Sequence, residues 1–154
     1  MTAIKNLYLG ALRVAGKLTW LGPLAVRVVI GLAFVMTGWG KLHHLDDVTE
    51  FFTTLAIPMP HANAVFVSCV ELVGGLLLIV GLGTRIAALF LIGVMTVATL
   101  TAVLPDPEKQ VLSSIEISYL LSFVWLALSG GGAVSIDHVI ARRAHVDPQV
   151  GEAA

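Results

Sequence analysis

Long stretches of apolar residues, each about 20 residues in length, dominate this chain. They cover residues 24–42, 62–82, 86–104 and 111–129, and the segments between them are short and contain most of the polar residues and prolines. About 20 apolar residues in a helix cross the ~30 Å hydrocarbon layer of a bilayer. A soluble protein of 154 residues has too little remaining chain to cover four such stretches. The pattern therefore predicts an all-α integral membrane protein with four transmembrane helices.

The short connections also predict the arrangement of these helices, because short loops make consecutive helices antiparallel neighbours. We expect residues 23–130 to form an up-down four-helix bundle. Residues 1–22 place apolar and basic positions on opposite faces of a helix, which is typical of an amphipathic helix at a membrane interface. Residues 131–154 form a tail, in which Ser135–Ala144 is predicted to be a short surface helix and the last ten residues are expected to be disordered.

The basic residues predict an orientation, since lysine and arginine concentrate on the cytoplasmic side of membrane proteins. With four crossings, one side of the membrane receives most of them, namely Lys5, Arg13, Lys17, Arg85, Arg142 and Arg143. Both termini are therefore predicted to be cytoplasmic.

Composition excludes several classes of function. Of the residues 57% are hydrophobic and 12% are charged, and the formal net charge of −1 leaves no basic surface for nucleic acid. Cys69 is the single cysteine, so the chain has no internal disulfide, no Cys-x-x-Cys redox pair and no cysteine zinc cluster. We expect the lipid bilayer as a partner, no nucleic acid and no metal site.

Glu71 lies near the middle of the second apolar stretch, where a charged residue costs ~2.5–3.5 kcal/mol on insertion scales. It needs an opposite charge, a water-filled cavity or a proton. Arg27 and Lys41 in the first stretch lie at depths from which either could approach it. Lys41 also lies at the depth of Glu116 in the fourth stretch, and Tyr119 could hydrogen-bond into the same outer cluster.

These charged residues also have purely structural interpretations. A buried ion pair at Glu71 would fix the register of two helices, and Arg27 and Lys41 would extend their charges towards the two interfaces. His43 and His61 flank the loop between the first two stretches. Two interpretations are open for them: binding of a quinone carbonyl, or simple exposure to solvent. No histidine lies deep in a stretch, which argues against a transmembrane haem.

Three segments resemble the DoxX family of small four-helix membrane proteins. They are "RVVIGLAFVMTGWGKL" (27–42), "CVELVGGLLLIVGLGTRIAALFL" (69–91) and "GGGAVSIDHVIARR" (130–143). The resemblance covers most of residues 24–143. Arg27, Lys41, Glu71 and Arg85 match the polar positions of the family's motifs.

The resemblance implies a bacterial plasma membrane protein linked to quinone chemistry, since relatives in the family are associated with a quinol oxidase and a thiosulfate:quinone oxidoreductase. We therefore expect a quinone-linked redox accessory subunit, at most the membrane subunit of an enzyme. Its catalytic pair would be Glu71 and Lys41. Substrate-binding roles are expected for Arg27, Glu116, Tyr119, His43 and His61.

The sequence has no flavin, haem or iron–sulfur signature, so we expect no intrinsic cofactor, with quinone as the ligand and a redox partner protein as the source of electrons. Two other functions remain open. One is a non-enzymatic scaffold or assembly subunit, whose ion pairs would be structural. The other is a small-solute or proton transporter with Glu71 at its midplane site, which would act as a homo-oligomer because four helices are few for a pore.

Overall fold

The structure, a computed structural model, describes residues 9, 16, 18–106 and 114–146. Most of the predicted amphipathic helix within residues 1–22 lies outside the described residues, as do residues 107–113 and the predicted disordered end of the tail. The described elements are all helical: α1 (Leu21–His43), α2 (Leu45–Thr54), α3 (Pro60–Val80), α4 (Thr84–Ala98), α5 (Ile115–Ser129) and α6 (Ile136–Val146). A π-helical turn, Thr99–Val103, continues α4.

Three helices of the described chain are long and apolar enough to cross a membrane: α1, α3, and α4 together with its π-helical turn. The third of these has 20 residues, which at ~1.5 Å per residue match the ~30 Å hydrocarbon layer. The fourth apolar helix, α5, has 15 residues, and the residues just before Ser114 lie outside the described part. The prediction of an all-α membrane bundle is confirmed, while the complete four-span topology stays a prediction.

The outward faces of these helices are apolar. Large side chains such as Met36 on α1, Leu89 on α4 and Leu128 on α5 are exposed. A soluble protein rarely exposes so much contiguous apolar surface, whereas lipid tails solvate it. The exposed surface therefore agrees with the sequence pattern in placing these helices in a bilayer.

Glycines bring α1 and α3 into backbone contact. A Cβ atom added at Gly38 would lie 2.5 Å from the backbone nitrogen of Leu72 and 2.8 Å from the carbonyl oxygen of Ser68. Gly31 and Gly75 meet in the same way, since an added Cβ at Gly31 would lie 2.8 Å from the carbonyl oxygen of Gly75. Small residues allow such close helix approach in membranes, where dispersion contacts between helices replace the hydrophobic effect.

The remaining helices complete the bundle around this pair. Helix α4 packs on α3 and on α5, and α5 reaches α1 through aromatic contacts. The ring of Phe34 stands edge-on to Tyr119 at 5.1 Å and to Phe123 at 4.9 Å, measured between centroids. Edge-to-face geometry is favourable because the positive edge of one ring meets the negative face of the other. The buried core is formed by Ile30, Phe34, Leu78, Ala87, Ala88, Leu91, Met95, Phe123 and Leu126.

Helix α2 differs from the prediction, which treated residues 43–61 as a loop. Asp46 and Asp47 lie in its first turn, where carboxylates complement the positive end of the helix dipole. Val48, Phe52 and Leu55 recur at helical spacing and are partly buried, while Glu50 is exposed. The segment is therefore a short amphipathic helix, and it packs against α3.

At one end of the bundle, hydrogen bonds from Arg27 connect the C-terminal segment to α1. Its guanidinium is buried and donates hydrogen bonds of 2.5 Å to the carbonyl oxygens of Gly131 and Val134. The turn between α3 and α4 lies at the same end, since the backbone N–H of Asp137 donates to the carbonyl oxygen of Gly81 at 3.0 Å. Gly81 has a φ of 73°, a left-handed conformation that glycine adopts without steric cost.

Asp137 caps the start of α4 from the other side of this turn. Its two carboxylate oxygens accept the backbone N–H groups of Gly83 at 2.6 Å and Thr84 at 2.9 Å. Burial acts to raise the pKa of Asp137, but the hydrogen bonds from Thr84 and Gly83 and the nearby charge of Arg27 outweigh it and hold this pKa below its usual value. Ser135 caps α6 itself by accepting the N–H of His138 at 3.1 Å.

We expect Gly38→Ala to destabilise the bundle, because the added methyl group meets the backbone of α3 and no side chain can move aside. The expected loss is about 1–3 kcal/mol, the usual cost of overpacking. Gly40→Ala is the matched control, because a Cβ at Gly40 meets nothing within 4 Å. Thermal unfolding in detergent measures both. Equal melting temperatures for the two variants would contradict the close α1–α3 contact.

We expect Asp137→Asn to destabilise the protein at neutral pH by about 1 kcal/mol, because the amide retains one acceptor oxygen and loses the charge. A carboxylate with a lowered folded pKa stabilises above its unfolded pKa of about 4, and this contribution disappears as the pH falls through the folded value. The difference from wild type should therefore be constant between about pH 5 and 8 and shrink in more acidic solution. Melting temperatures against pH test this, with Glu50→Gln on the exposed face of α2 as control. A pH-independent difference would contradict it.

Candidate functional site

The charged residues Lys41 and Glu71 form an ion pair inside the bundle. Lys41 Nζ lies 2.6 Å from Glu71 Oε1, a distance at which the two charged groups form both a salt bridge and a hydrogen bond. Glu71 is the twelfth residue of α3, about 16 Å along the helix from its start. The side chain of Glu71 is 2% exposed, whereas that of Lys41 is 33% exposed. The pair therefore joins a fully buried carboxylate to an ammonium group with partial access to its surroundings.

The α1–α3 contact positions this pair. Gly38 lies against Ser68 and Leu72, which flank Glu71 in α3, and Lys41 follows Gly38 by one turn of α1. The two backbones therefore approach closely just beside the two charges. Of the two partners that the sequence allowed for Glu71, Lys41 is the one that forms the pair.

A cavity of about 930 Å³ adjoins the pair at the end of the bundle opposite Arg27. Such a volume is at the upper end of the ~300–1,000 Å³ of small-molecule sites. All five helices α1–α5 contribute to its wall, which is mainly apolar. Among the apolar side chains are Phe34, Val48, Phe51, Phe52, Leu55, Phe66, Val67, Leu89, Phe90, Val94 and Met95.

The polar residues of the wall include four of the predicted site residues. Lys41, Glu71, Glu116 and Tyr119 all line the cavity, so α1, α3 and α5 bring together residues far apart in the sequence. The pairing of Lys41 with Glu116 that the sequence also allowed is not the ion pair observed. Both residues nevertheless belong to one site.

The sequence analysis did not find several polar residues of the cavity wall, which lie on α2, on the π-helical turn after α4, and on α1 and α3. Asp47, Thr37, Asn63 and Thr101 add polar groups to the wall. Asp47 could have been found, because it precedes apolar residues at helical spacing in a segment with two acidic residues at its start. Treating that segment as a loop removed it from consideration.

Three predicted binding residues do not line the cavity. Arg27 holds the C-terminal segment at the other end of the bundle. His43 is exposed, its Nδ1 lies 2.9 Å from the carbonyl oxygen of Trp39, and the two rings are tilted by 47° with centroids 4.4 Å apart. His61 is exposed at the start of α3. No group of three or more metal-ligating side chains occurs within the described ranges.

Part of the cavity wall lies at the apolar outer surface of the bundle. Phe66 on α3 and Phe90 on α4 belong to its wall, and they are 55% and 57% exposed. Both lie within helices long enough to span the membrane. The wall of the cavity therefore includes side chains from the apolar outer surface of two candidate membrane-spanning helices.

The π-helical turn Thr99–Val103 contributes Thr101 and Ala102 to the same cavity. A π-helical turn accommodates an extra residue in the helix and occurs frequently at functional sites. The turn therefore adds an irregular stretch of helix to the wall of the candidate site.

The fold and site define a class of protein: a membrane-embedded helical bundle with a lysine–glutamate ion pair, its carboxylate buried, in the wall of a mainly apolar cavity. The sequence pattern of the DoxX family matches residues 22–104, more than half of the chain. This chain belongs to the DoxX family. The matched region contains both members of the ion pair and most of the cavity wall.

Curated relatives agree with this assignment over most of their length. The chain is 29% identical to "Putative oxidoreductase CatD" of Bacillus subtilis over 119 residues, which are 76% of this chain and 85% of that protein. It is 26% identical to the inner membrane protein YqjF of Escherichia coli over 132 residues, which are 82% of this chain and 98% of that protein. The inner membrane protein YphA of the same organism is 26% identical over 121 residues, 74% of this chain and 86% of its own. No solved structure matches the chain.

We expect Lys41→Met to destabilise the bundle, because it leaves the carboxylate of Glu71 buried without its counter-charge. Removal of one partner from a buried pair costs about 3–5 kcal/mol. Since Lys41 is one-third exposed, we expect a smaller loss of about 1–3 kcal/mol. The double variant Lys41→Met/Glu71→Gln should regain most of it, because no buried charge remains. Unfolding free energies of the single and double variants in detergent measure this coupling, and strictly additive losses would contradict it.

Proposed function

We propose that this DoxX-family protein is the membrane subunit of a quinone-linked oxidoreductase and that the cavity holds the quinone. The observation that carries the proposal is the combination of a mainly apolar cavity, part of whose wall lies on the apolar outer surface of the bundle, with the Lys41–Glu71 ion pair in that wall. A quinone has an apolar tail that partitions into the bilayer and a headgroup with two carbonyl oxygens. Such a ligand fits a site that is apolar except for a few polar groups.

The two charged residues have complementary roles in this proposal. Lys41 donates a hydrogen bond to one headgroup oxygen, and Glu71 exchanges a proton with it. Conversion of a quinone to a quinol consumes two electrons and two protons, so the site needs a route for protons as well as for the ligand. Glu116 and Tyr119 belong to the same cavity wall and offer further polar groups for that route.

In this proposal the electrons come from a redox partner protein, as the sequence analysis expects. The name of the Bacillus subtilis relative, "Putative oxidoreductase CatD", supports a redox role. The names of the two Escherichia coli relatives support the inner membrane of a bacterium as the location. The small-residue contacts of Gly31, Gly38 and Gly75 are used within the chain, so they give no support to a role in assembly.

We expect Gly93→Leu to block quinone binding without damage to the fold. Gly93 belongs to the cavity wall, and an added Cβ there meets nothing within 4 Å. Leucine also favours a helix over glycine by up to about 1 kcal/mol. The measurement is the quinone content, by lipid extraction and mass spectrometry, of protein purified gently from its native membrane. We expect near-stoichiometric quinone in wild type and a loss of about tenfold or more in the variant.

The matched control is Gly40→Leu, which also adds a side chain in open space but lies outside the cavity wall. It should retain the quinone content of wild type. Absence of quinone from wild type, with partner proteins still bound, would contradict the proposal and favour the function of a non-enzymatic scaffold. Equal quinone in wild type and Gly93→Leu would place the quinone at another site.

A further inference from the structure

The second carboxylate oxygen of Glu71 lacks a hydrogen-bond partner. Oε1 accepts from Lys41 at 2.6 Å, but Oε2 is shielded from solvent and has no partner among the described residues. Buried charged oxygens are rarely left in this state, because desolvation without a compensating hydrogen bond is costly. Glu71 belongs to the cavity wall. The unpaired oxygen is therefore a position that a bound ligand can satisfy.

The chemistry of this oxygen specifies what the ligand must offer. A carboxylate in an ion pair has only acceptor positions, so Oε2 needs an O–H or N–H donor. The ammonium of Lys41, in contrast, has only donors, and one-third of that side chain is exposed. The two groups together suit a ligand oxygen that both accepts a hydrogen bond and donates one. A hydroxyl group has both capacities, whereas a carbonyl oxygen can only accept.

We propose that the cavity distinguishes the two redox states of quinone and binds the quinol more tightly, through donation of one quinol hydroxyl to Glu71 Oε2. The inference rests on the proposed function, because it presupposes a quinone site in this cavity. The quinol hydroxyl accepts from Lys41 and donates to Glu71. The oxidised quinone accepts from Lys41 and leaves Oε2 unpaired.

The extra hydrogen bond has a charged acceptor in a water-poor site, where such bonds are strong. We therefore expect the quinol to bind about tenfold or more tightly than the quinone. Preferential binding of the reduced form raises the midpoint potential of the bound couple. For this two-electron, two-proton couple, a tenfold preference corresponds to a rise of about 30 mV.

The experiment uses the full-length protein in lipid nanodiscs, with a benzoquinone carrying a decyl side chain and its quinol as probes. Equilibrium dialysis without oxygen gives a dissociation constant for each redox form. A redox titration of the bound probe gives its midpoint potential independently. In wild type we expect a lower dissociation constant for the quinol and a midpoint potential above that of the probe in empty nanodiscs.

We expect Glu71→Gln to remove or reverse the preference for the quinol over the quinone. Because Lys41 can only donate, the amide of the new side chain directs its oxygen to Lys41 and leaves its NH₂ group at the position of Oε2. That position then offers a donor, which a quinone carbonyl satisfies. We expect the variant to bind the quinone at least as tightly as the quinol, with a midpoint potential below that of wild type. A purely structural role of Glu71 would weaken both redox forms equally.

Glu50→Gln is the matched control, since it makes the same chemical change on the exposed face of α2, outside the cavity wall. It should retain the wild-type ratio of dissociation constants. Equal binding of both forms by wild type, or tighter binding of the quinone, overturns the inference but leaves the quinone site. Binding of neither form overturns the proposed function itself. If Glu71→Gln fails to fold, the sign of the wild-type preference and of its midpoint shift decides the matter.

Discussion

The backbone contact between α1 and α3 is the constraint on which the rest of the structure depends. Gly31, Gly38 and Gly75 remove the side chains that would hold the two helices apart. At ordinary helix separations Lys41 and Glu71 would need to reach across a wider gap, and a carboxylate in mid-membrane would lose its counter-charge. The cavity adjoins this pair of helices, and α2, α4 and α5 complete its wall. Packing and charge are therefore linked, since the same glycines permit the burial of Glu71 and shape the site beside it.

The two ends of the bundle solve the problem of buried polar groups differently. At the Arg27 end, backbone carbonyls and the carboxylate of Asp137 accept hydrogen bonds from Arg27 and from backbone N–H groups, although Arg27 Nε and Thr84 Oγ1 have no partner in the described part of the chain. At the cavity end, an ammonium group is partly exposed and a carboxylate oxygen is unpaired. The cavity end therefore differs in that its unpaired oxygen belongs to a residue of the cavity wall, where a ligand can reach it.

Much of this structure was predictable from the sequence, and the failures have physical causes. The apolar stretches gave helix positions to within a few residues, and the cost of a charge at Glu71 required a partner. The depth of each residue in the membrane could not identify which of Arg27 and Lys41 pairs with Glu71. Arg27 instead donates hydrogen bonds to carbonyl oxygens more than 100 residues further along the chain. Helix α2 was missed because the strong apolar signal on both sides of it made a short amphipathic segment look like a connection. The cavity depends on how helices diverge, which no pattern of single residues encodes.

The attachment of Arg27 to the C-terminal segment has a consequence for biosynthesis. Its acceptors are separated from it by 104 and 107 positions in the chain. While the ribosome is still making the later helices, the guanidinium of Arg27 has none of its final partners and must remain near water or lipid headgroups. Both hydrogen bonds can therefore form only after residue 134 has been synthesised. Chains truncated before residue 131 would lack both acceptors and leave the guanidinium of Arg27 without the partners that it has in the complete fold.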